Sequence, residues 1–213
     1  LYVDATGSPH VFVPALRTSS SGPTWRNGAP PGRSLPLTDC FLARPSDTVP
    51  VLNAALASGK HLIFTPGVYD VDRSIMITRP GTVVLGLGLA TLTARDGAIP
   101  IQVADVRGVA IAALMIDAGP VQSPVLLRVG PERRDGERTT ATADSSSDPT
   151  VLHDVFFRVG GPHVGKARVS LEVNSDDVLI DHLWAWRADH GVPGSFGWDV
   201  STADTGVVVN GDD

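Results

Sequence analysis

The feature that most constrains the fold of this chain is an internal repeat. The phrase LEVNSDD, from Leu171, returns as VVVNGDD, from Val207. When these runs are aligned with those that start at Ile101 and Leu127, the offsets between neighbours are 26, 44 and 36 residues. Repeats of this length are typical of stacked structural units, each of which contacts only its neighbours. The spacing therefore predicts a solenoid.

The repeated units consist of short strands. After residue 59 the sequence is a series of β-branched runs bounded by Gly, Pro or Asp. A second series, starting at Val109, Leu152 and Val178, runs alongside the first. Short strands in a coil of roughly 25 residues suit a parallel β-helix. A β-sandwich is the alternative, but it requires hairpin turns, and only a few connections are that short.

The chain divides into two predicted parts. Residues 1–38 are rich in Pro, Gly and Ser and are predicted to form an extended N-terminal arm. Residues 39–213 are predicted to form the β-helix, with a mobile loop insert at 131–150 that explains the 44-residue step. Both ends look cut, so we expect a fragment that is truncated at the C-terminus.

One short helix is predicted before the first strands of the β-helix, from Asp47 to Gly59. Asp47 is a candidate N-cap, Pro50 lies in the first turn, and Gly59 is a candidate C-cap. No other stretch predicts a helix as strongly.

Composition narrows the class of partner. The net charge of −6 argues against nucleic acid or an anionic membrane surface as the main partner. No apolar run approaches the roughly 18 residues of a spanning helix. The single Cys40 excludes an internal disulfide. No phosphate-binding loop is present, because GLGLA at 86–90 does not match G-x-G-x-x-G. We expect no cofactor.

The predicted helix and the strands after it resemble the opening of pectin-lyase-like right-handed β-helix proteins. There a capping helix runs into a strand that ends in a phrase like FPPGxYxV; here the phrase is FTPGVYDV, from Phe64 to Val71. The resemblance implies an all-β fold, a right-handed parallel β-helix with one short N-terminal capping helix.

The stretch that begins at TVVLGLGLATL and ends at STADTGVVVNGDD is similar to actinobacterial secreted proteins related to glycoside hydrolase family 55, the laminarinase-like exo-β-1,3-glucanases. This resemblance implies carbohydrate chemistry and an extracellular location. In that family the acid carboxylate lies in a second β-helical half, after the part that matches here. No family catalytic residue is therefore transferred to this chain.

The segment DVLIDHLWAWRADHG, with two of the four Trp residues, is the strongest candidate site. Strand alternation predicts that Ile180, Leu183 and Ala185 point into the coil, whereas Trp184 and Trp186 point outward. Outward aromatic rings beside polar groups suit a pyranose, because its C–H face stacks on indole while its hydroxyls bond the neighbours. The alternative is that the N-terminal arm, a long loop or a further domain covers these rings.

The register of the repeat predicts the neighbours of the two Trp residues on the adjacent strands. Trp184 is expected beside Phe156, and Trp186 beside Arg158 and Asp117. The outward face would therefore carry an apolar column and a polar column.

Asp189 and His190 are the predicted catalytic pair, for acid/base work or substrate contact. The alternative is that Asp189 only organises the turn before Gly191. A glycosidase needs two carboxyl groups, roughly 5 to 5.5 Å apart for retention or 6.5 to 9.5 Å for inversion, and the sequence leaves this choice open. The residues predicted to bind substrate are Asp181, His182, Trp184, Trp186, Arg187, Trp198 and Asp204.

Other polar residues have structural interpretations. Glu172 is expected to form a cross-strand ion pair with Arg128. Asn174 and Asn210 recur at one place in two coils, which predicts an asparagine ladder. The Asp pair that follows each Asn raises the possibility of Ca²⁺, but each pair lies within a turn, so no metal site is predicted.

The leading hypothesis is the N-terminal β-helical part of a secreted glycoside hydrolase that acts on a polysaccharide of the β-1,3-glucan type. Its expected partners are this polysaccharide and a second β-helical half of the same protein. A non-catalytic carbohydrate-binding or structural β-helix module is the alternative. A polysaccharide lyase comes third, with Arg158 and Arg187 as the cations that could neutralise a uronate.

Overall fold

The structure is a computed structural model and describes residues 1–19, 28, 30–132 and 146–212. Most of the predicted loop at 131–150 lies outside the described residues. No helix within the described part of the chain is long and apolar enough to cross a membrane.

In chain order the elements are β1 (Tyr2–Val3), β2 (Pro9–Pro14), β3 (Gly32–Pro36), β4 (Cys40–Ala43), α1 (Val49–Ala57), β5 (His61–Phe64), β6 (Val68–Val71), β7 (Ile75–Ile77), β8 (Val83–Ala94), β9 (Ile101–Val103), β10 (Ala110–Asp117), β11 (Ser123–Val129), β12 (Thr150–Val159), β13 (Lys166–Val173), β14 (Val178–Arg187) and β15 (Thr202–Val209).

Two parallel sheets form the body of the molecule. The first has the order β14-β12-β10-β8-β5-β4, with β6 also paired to β8, and the second has the order β15-β13-β11-β9-β7. From β8 onward each strand lies in the sheet that its predecessor does not occupy. The chain therefore winds from one sheet to the other and back, which is consistent with the predicted parallel β-helix.

The register of the repeat is confirmed. Ile101 pairs with Leu127, Leu127 with Leu171, and Leu171 with Val207. Each of these four residues begins one of the aligned runs, and the first three are fully buried. The repeat read from the sequence is thus the column of side chains that fills the space between the sheets.

The predicted helix is present as α1, but it begins after Thr48 rather than at Asp47. The Asp47 carboxylate instead accepts the backbone N–H of Arg44 at 2.8 Å, so it closes the preceding turn. At the other end Gly59 has a φ of +96°, and the N–H of Lys60 reaches Ala55 O at 3.0 Å. This bond satisfies one of the last carbonyls of the helix, as a Gly-terminated helix requires.

The phrase FTPGVYDV contributes two aromatic side chains to the core of the first coil. Phe64 and Tyr69 are buried and pack edge to face, with ring centroids 4.9 Å apart. The Tyr69 hydroxyl donates to Ala43 O at 2.8 Å, so its polar end is satisfied inside the protein. The motif that carries the family resemblance is therefore a packing motif.

Within residues 1–38, the strands β1, β2 and β3 pair with one another to form a small antiparallel sheet. Arg33 of β3 donates to Gly81 O at 2.9 Å, which ties this sheet to the loop before β8. A cavity of about 470 Å³ lies between the small sheet and the start of β10, β12 and β14, where Ala110, Val151 and Leu179 line it. The small sheet thus lies across this cavity from the start of β14, at the opposite end of the strand from its Trp residues.

Candidate functional site

Three neighbouring strands of the first sheet bend at the same place. Ala113 on β10, Asp154 on β12 and His182 on β14 have φ values of 57°, 53° and 54°. This left-handed conformation is uncommon outside Gly, and Asp and His are among the residues that adopt it more often. The bend divides each strand into two short segments, and His182 lies at the bend of β14.

The side chains of β14 alternate as predicted. Leu183 and Ala185 pack against the core, in register with the buried Val155 and Phe157. Ile180 belongs to the same inward column but is 38% exposed. Its exposure follows from the position of β14, which ends the order of its sheet in the described chain.

The two outward Trp side chains form a stacked pair. Trp184 and Trp186 have ring centroids 5.5 Å apart and planes inclined by 20°. The register is as predicted, with Trp184 beside Phe156 and Trp186 beside Arg158. Trp184 is 56% exposed, so much of its surface remains available to a ligand from solvent.

The predicted catalytic pair, Asp189 and His190, lies directly after this strand. The His190 Nδ1 is 2.7 Å from the Asp189 carboxylate, and both side chains are exposed. The imidazole also packs against Trp186, at 5.2 Å between ring centroids. The hydrogen bond from His190 lowers the pKa of Asp189, whereas a general acid needs a carboxyl whose pKa is raised. Both side chains are therefore accessible to a ligand, and the Asp189 carboxyl lacks the raised pKa of a general acid.

Asp181 and His182 contact two residues of β12, His153 and Asp154, that were not predicted from the sequence as site residues. His153 lies 3.0 Å from Asp181 through Nδ1 and 3.2 Å from Asp154 through Nε2. His182 Nδ1 in turn contacts the Asp154 carboxylate. We call these four residues the His–Asp cluster. The sequence contained a signal for this cluster. His153-Asp154 on β12 aligns with Asp181-His182 on β14, so that each imidazole is opposite a carboxylate.

Trp198 and Arg187 form a second contact beside the Trp pair. The Arg187 guanidinium carbon lies 3.3 Å from the centre of the Trp198 ring, a cation–π arrangement. Trp198 is nevertheless 79% exposed. Asp204 lies 3.6 Å from Arg168 and lines, with Trp186 and Arg187, a small cavity of about 120 Å³ between β14 and β15. Three of the predicted ligand residues therefore line one cavity.

Both arginines of the lyase hypothesis have protein partners. Arg158 makes two hydrogen bonds to the Asp117 carboxylate, at 2.9 and 2.7 Å, and Asp117 is buried. Arg187 is stacked on Trp198. A guanidinium that neutralises a buried carboxylate contributes little net charge to a uronate ligand.

The predicted structural contacts on the second sheet are confirmed. Arg128 and Glu172 are 3.1 Å apart across β11 and β13. The Asn210 amide donates to Asn174 Oδ1 at 2.8 Å, which forms the predicted ladder. In the Asp pairs, Asp176 accepts the N–H of Asp212 at 2.7 Å. Among the described residues, no group of three or more His, Cys, Asp or Glu is arranged to hold a metal ion.

Comparison with known proteins identifies relatives of the whole chain. An exo-β-1,3-glucanase of Streptomyces sp. (strain SirexAA-E / ActE) is 50% identical over 212 residues, a match that covers 100% of this chain and 33% of the relative. The solved structure of sacteLam55A from Streptomyces sp. SirexAA-E matches with a TM-score of 0.88 at 50% identity, over 99% of this chain and 36% of that one. A variant of sacteLam55A in complex with glucose matches equally well.

This chain therefore spans about a third of the length of the curated relative. The sequence profile of the LAM55 pectate lyase-like domain matches residues 40–213. These matches confirm the resemblance that the sequence motifs indicated. The chain belongs to the family of LAM55 pectate lyase-like domains.

Proposed function

We propose that this chain is the N-terminal β-helical part of a secreted glycoside hydrolase that acts on β-1,3-glucan. The observation that carries the proposal is the 50% identity to an exo-β-1,3-glucanase over the full length of this chain. Secretion is part of the proposal because a polysaccharide of this kind is too large to enter a cell. The rest of the protein would supply a second β-helical half, since this chain covers only 33% of that relative.

The proposed architecture is a right-handed parallel β-helix that starts at about residue 39. Two parallel sheets joined by alternating connections support the helix, and parallel crossovers are right-handed in nearly all proteins. The family match from residue 40 supports the boundary.

In this proposal the outward Trp pair binds the sugar. The exposed surface of Trp184 would receive the C–H face of a glucose ring, and His190 and Asp189 lie beside Trp186 to bond its hydroxyls. Arg187, Trp198 and Asp204 would contact a neighbouring part of the polysaccharide. A neutral glucan fits this surface better than a uronate does, because the charge of Arg158 is already paired with the Asp117 carboxylate.

A second candidate is a carbohydrate-binding role without catalysis in this part of the protein. It is favoured by the exposure of both Asp189 and His190, because the pKa of a carboxyl is raised toward that of a general acid mainly by burial. In this case the residues that cleave the glucan lie elsewhere in the full-length protein, and the Trp pair retains the polymer.

The test is an activity assay of the full-length protein on a panel of β-1,3-glucan, β-1,4-glucan, xylan and polygalacturonate. The same assay is applied to the culture medium of cells that produce the protein. We expect reducing sugar to be released from β-1,3-glucan only, and the activity to be found in the medium. Retention of β-1,3-glucan without hydrolysis would favour the binding role. Unsaturated products from polygalacturonate would favour the lyase, and no activity or retention on any glycan would overturn both proposals.

A further inference from the structure

The two histidines of the His–Asp cluster differ in how many of their ring nitrogens contact a carboxylate. Both nitrogens of His153 lie against carboxylates, of Asp181 and of Asp154. His182 has only Nδ1 against Asp154, and its Nε2 has no hydrogen-bond partner in the described part of the chain. The His182 side chain is also 68% exposed, so Nε2 is accessible from solvent.

The Asp154 carboxylate determines which nitrogen of neutral His182 carries the proton. An ionised carboxylate only accepts hydrogen bonds, so Nδ1 must donate and Nε2 is left as an acceptor. The backbone supports this arrangement, because Asp154 and His182 lie at the same bend of adjacent strands. The orientation of the ring therefore does not depend on a flexible loop.

His182 also lies against the apolar column that contains Phe156 and Trp184. Its ring packs edge to face on Phe156, with centroids 5.3 Å apart, and Phe156 is the cross-strand neighbour of Trp184. His182 precedes Trp184 by two residues on β14. A sugar that stacks on Trp184 would therefore lie next to the imidazole of His182, on the side opposite His190.

We propose that His182 is a specificity-determining residue whose Nε2 accepts a hydrogen bond from one hydroxyl of the bound glucan, and that Asp154 is the positioning residue that holds it in this form. The ligand class is a neutral sugar with a hydroxyl donor next to its stacked face. The inference rests on the proposed function, since it assumes that a sugar occupies Trp184. It adds that His182 accepts, rather than donates, the hydrogen bond to the sugar, and that Asp154 contributes by holding His182 in this form.

The test uses the full-length protein and a β-1,3-linked diglucoside with sulfur in place of the glycosidic oxygen, so that the ligand is not cleaved. Derivatives in which single hydroxyls are replaced by fluorine are compared with the parent by calorimetry. Fluorine cannot donate a hydrogen bond, so wild type should bind one derivative up to about tenfold more weakly. The measurement is made at about pH 8.5, above the range in which imidazoles usually titrate.

Two variants examine this discrimination. In Asp154→Asn the amide can donate to Nδ1, which moves the imidazole proton to Nε2 and should reduce the discrimination to about twofold or less. His182→Asn removes the imidazole and should have the same effect. Asn tolerates the left-handed backbone at both positions. His153→Gln is the matched control, and it should keep the tenfold discrimination because neither nitrogen of His153 is available to a ligand.

The outcomes separate the two proposals. If Trp184→Ala abolishes binding while Asp154→Asn and His182→Asn keep the wild-type discrimination, the role of His182 is overturned and the proposed function stands. Equal losses in all three cluster variants, including His153→Gln, would also overturn it, since a structural role predicts that pattern. If wild type binds no diglucoside, the proposed function fails and this inference fails with it.

Discussion

Two aromatic pairs in this protein show how differently the same residue class is used toward the two ends of the first parallel sheet. Phe64 and Tyr69, in the first coil, are buried and pack edge to face. Trp184 and Trp186, on the last described strand of the same sheet, stack in an offset arrangement that leaves Trp184 56% exposed. The first pair faces the interior and the second faces outward, so strand alternation separates a packing role from a binding role.

Replacement of a member of the buried pair should have the largest effect on stability. Phe64→Ala removes a fully buried ring and leaves a cavity, which typically costs about 3–5 kcal/mol of unfolding free energy. Urea denaturation followed by fluorescence measures this difference. Trp184→Ala is the matched variant of the exposed pair and should cost no more than about 1 kcal/mol. Equal losses from the two variants would contradict the division of roles.

Replacement of the exposed Trp should instead affect binding. Trp184→Ala removes the surface on which a sugar would stack, so we expect retention on a β-1,3-glucan affinity gel to fall at least about tenfold, equivalent to about 1.4 kcal/mol. Val68→Ala, on the same face of the sheet four strands away and also exposed, is the control. Unchanged retention by Trp184→Ala would favour a protein partner rather than a sugar on this face.

A smaller effect is expected on the pH dependence of stability, where the half-buried His61 should differ from the exposed histidines of the candidate site. His61 is half-buried, and its Nδ1 accepts the N–H of Val83 at 3.0 Å. Burial, with Arg33 and Arg79 nearby, lowers the pKa of His61. The unfolded chain therefore binds a proton that the folded protein resists, so stability is complete above about pH 6.5 and falls as the pH decreases below it.

Unfolding curves collected between about pH 8 and pH 5 test this pH dependence. His61→Asn should lower stability at pH 8, because the bond to Val83 is weakened, and should flatten the slope between pH 6.5 and 5. The exposed His190→Asn serves as the control and should keep the wild-type slope. If His61→Asn keeps the wild-type slope of unfolding free energy against pH, the pH dependence comes from other groups.

Much of the fold could be predicted because it depends on local patterns. The runs at Ile101, Leu127, Leu171 and Val207 share one spacing of apolar residues, and the register of the strands follows from it. The small antiparallel sheet of residues 1–38 could not be read in the same way. Its strands are short and half exposed, so no alternation of apolar residues marks them in a sequence rich in Pro, Gly and Ser.

The candidate site could be predicted only in part. The outward direction of Trp184 and Trp186 follows from the period of the strand, and the structure agrees. The strand register already aligns Asp181 with His153, but the contact between His182 and Asp154 also required knowledge of the bend, which displaces both residues from the regular ladder. The predicted N-cap at Asp47 was wrong, because its carboxylate accepts the backbone N–H of Arg44 and closes the earlier turn.

The sequence by itself determined the repeat, the register and the face of each strand residue, because these follow from the fixed geometry of a parallel strand ladder. The tertiary structure decided which of the outward polar residues meet. His182 and Asp154 are 28 residues apart, and their contact depends on two matching left-handed residues and on side-chain orientations that no local pattern encodes. That contact frees one imidazole nitrogen of His182 toward solvent, and it is the feature on which the proposed sugar specificity rests.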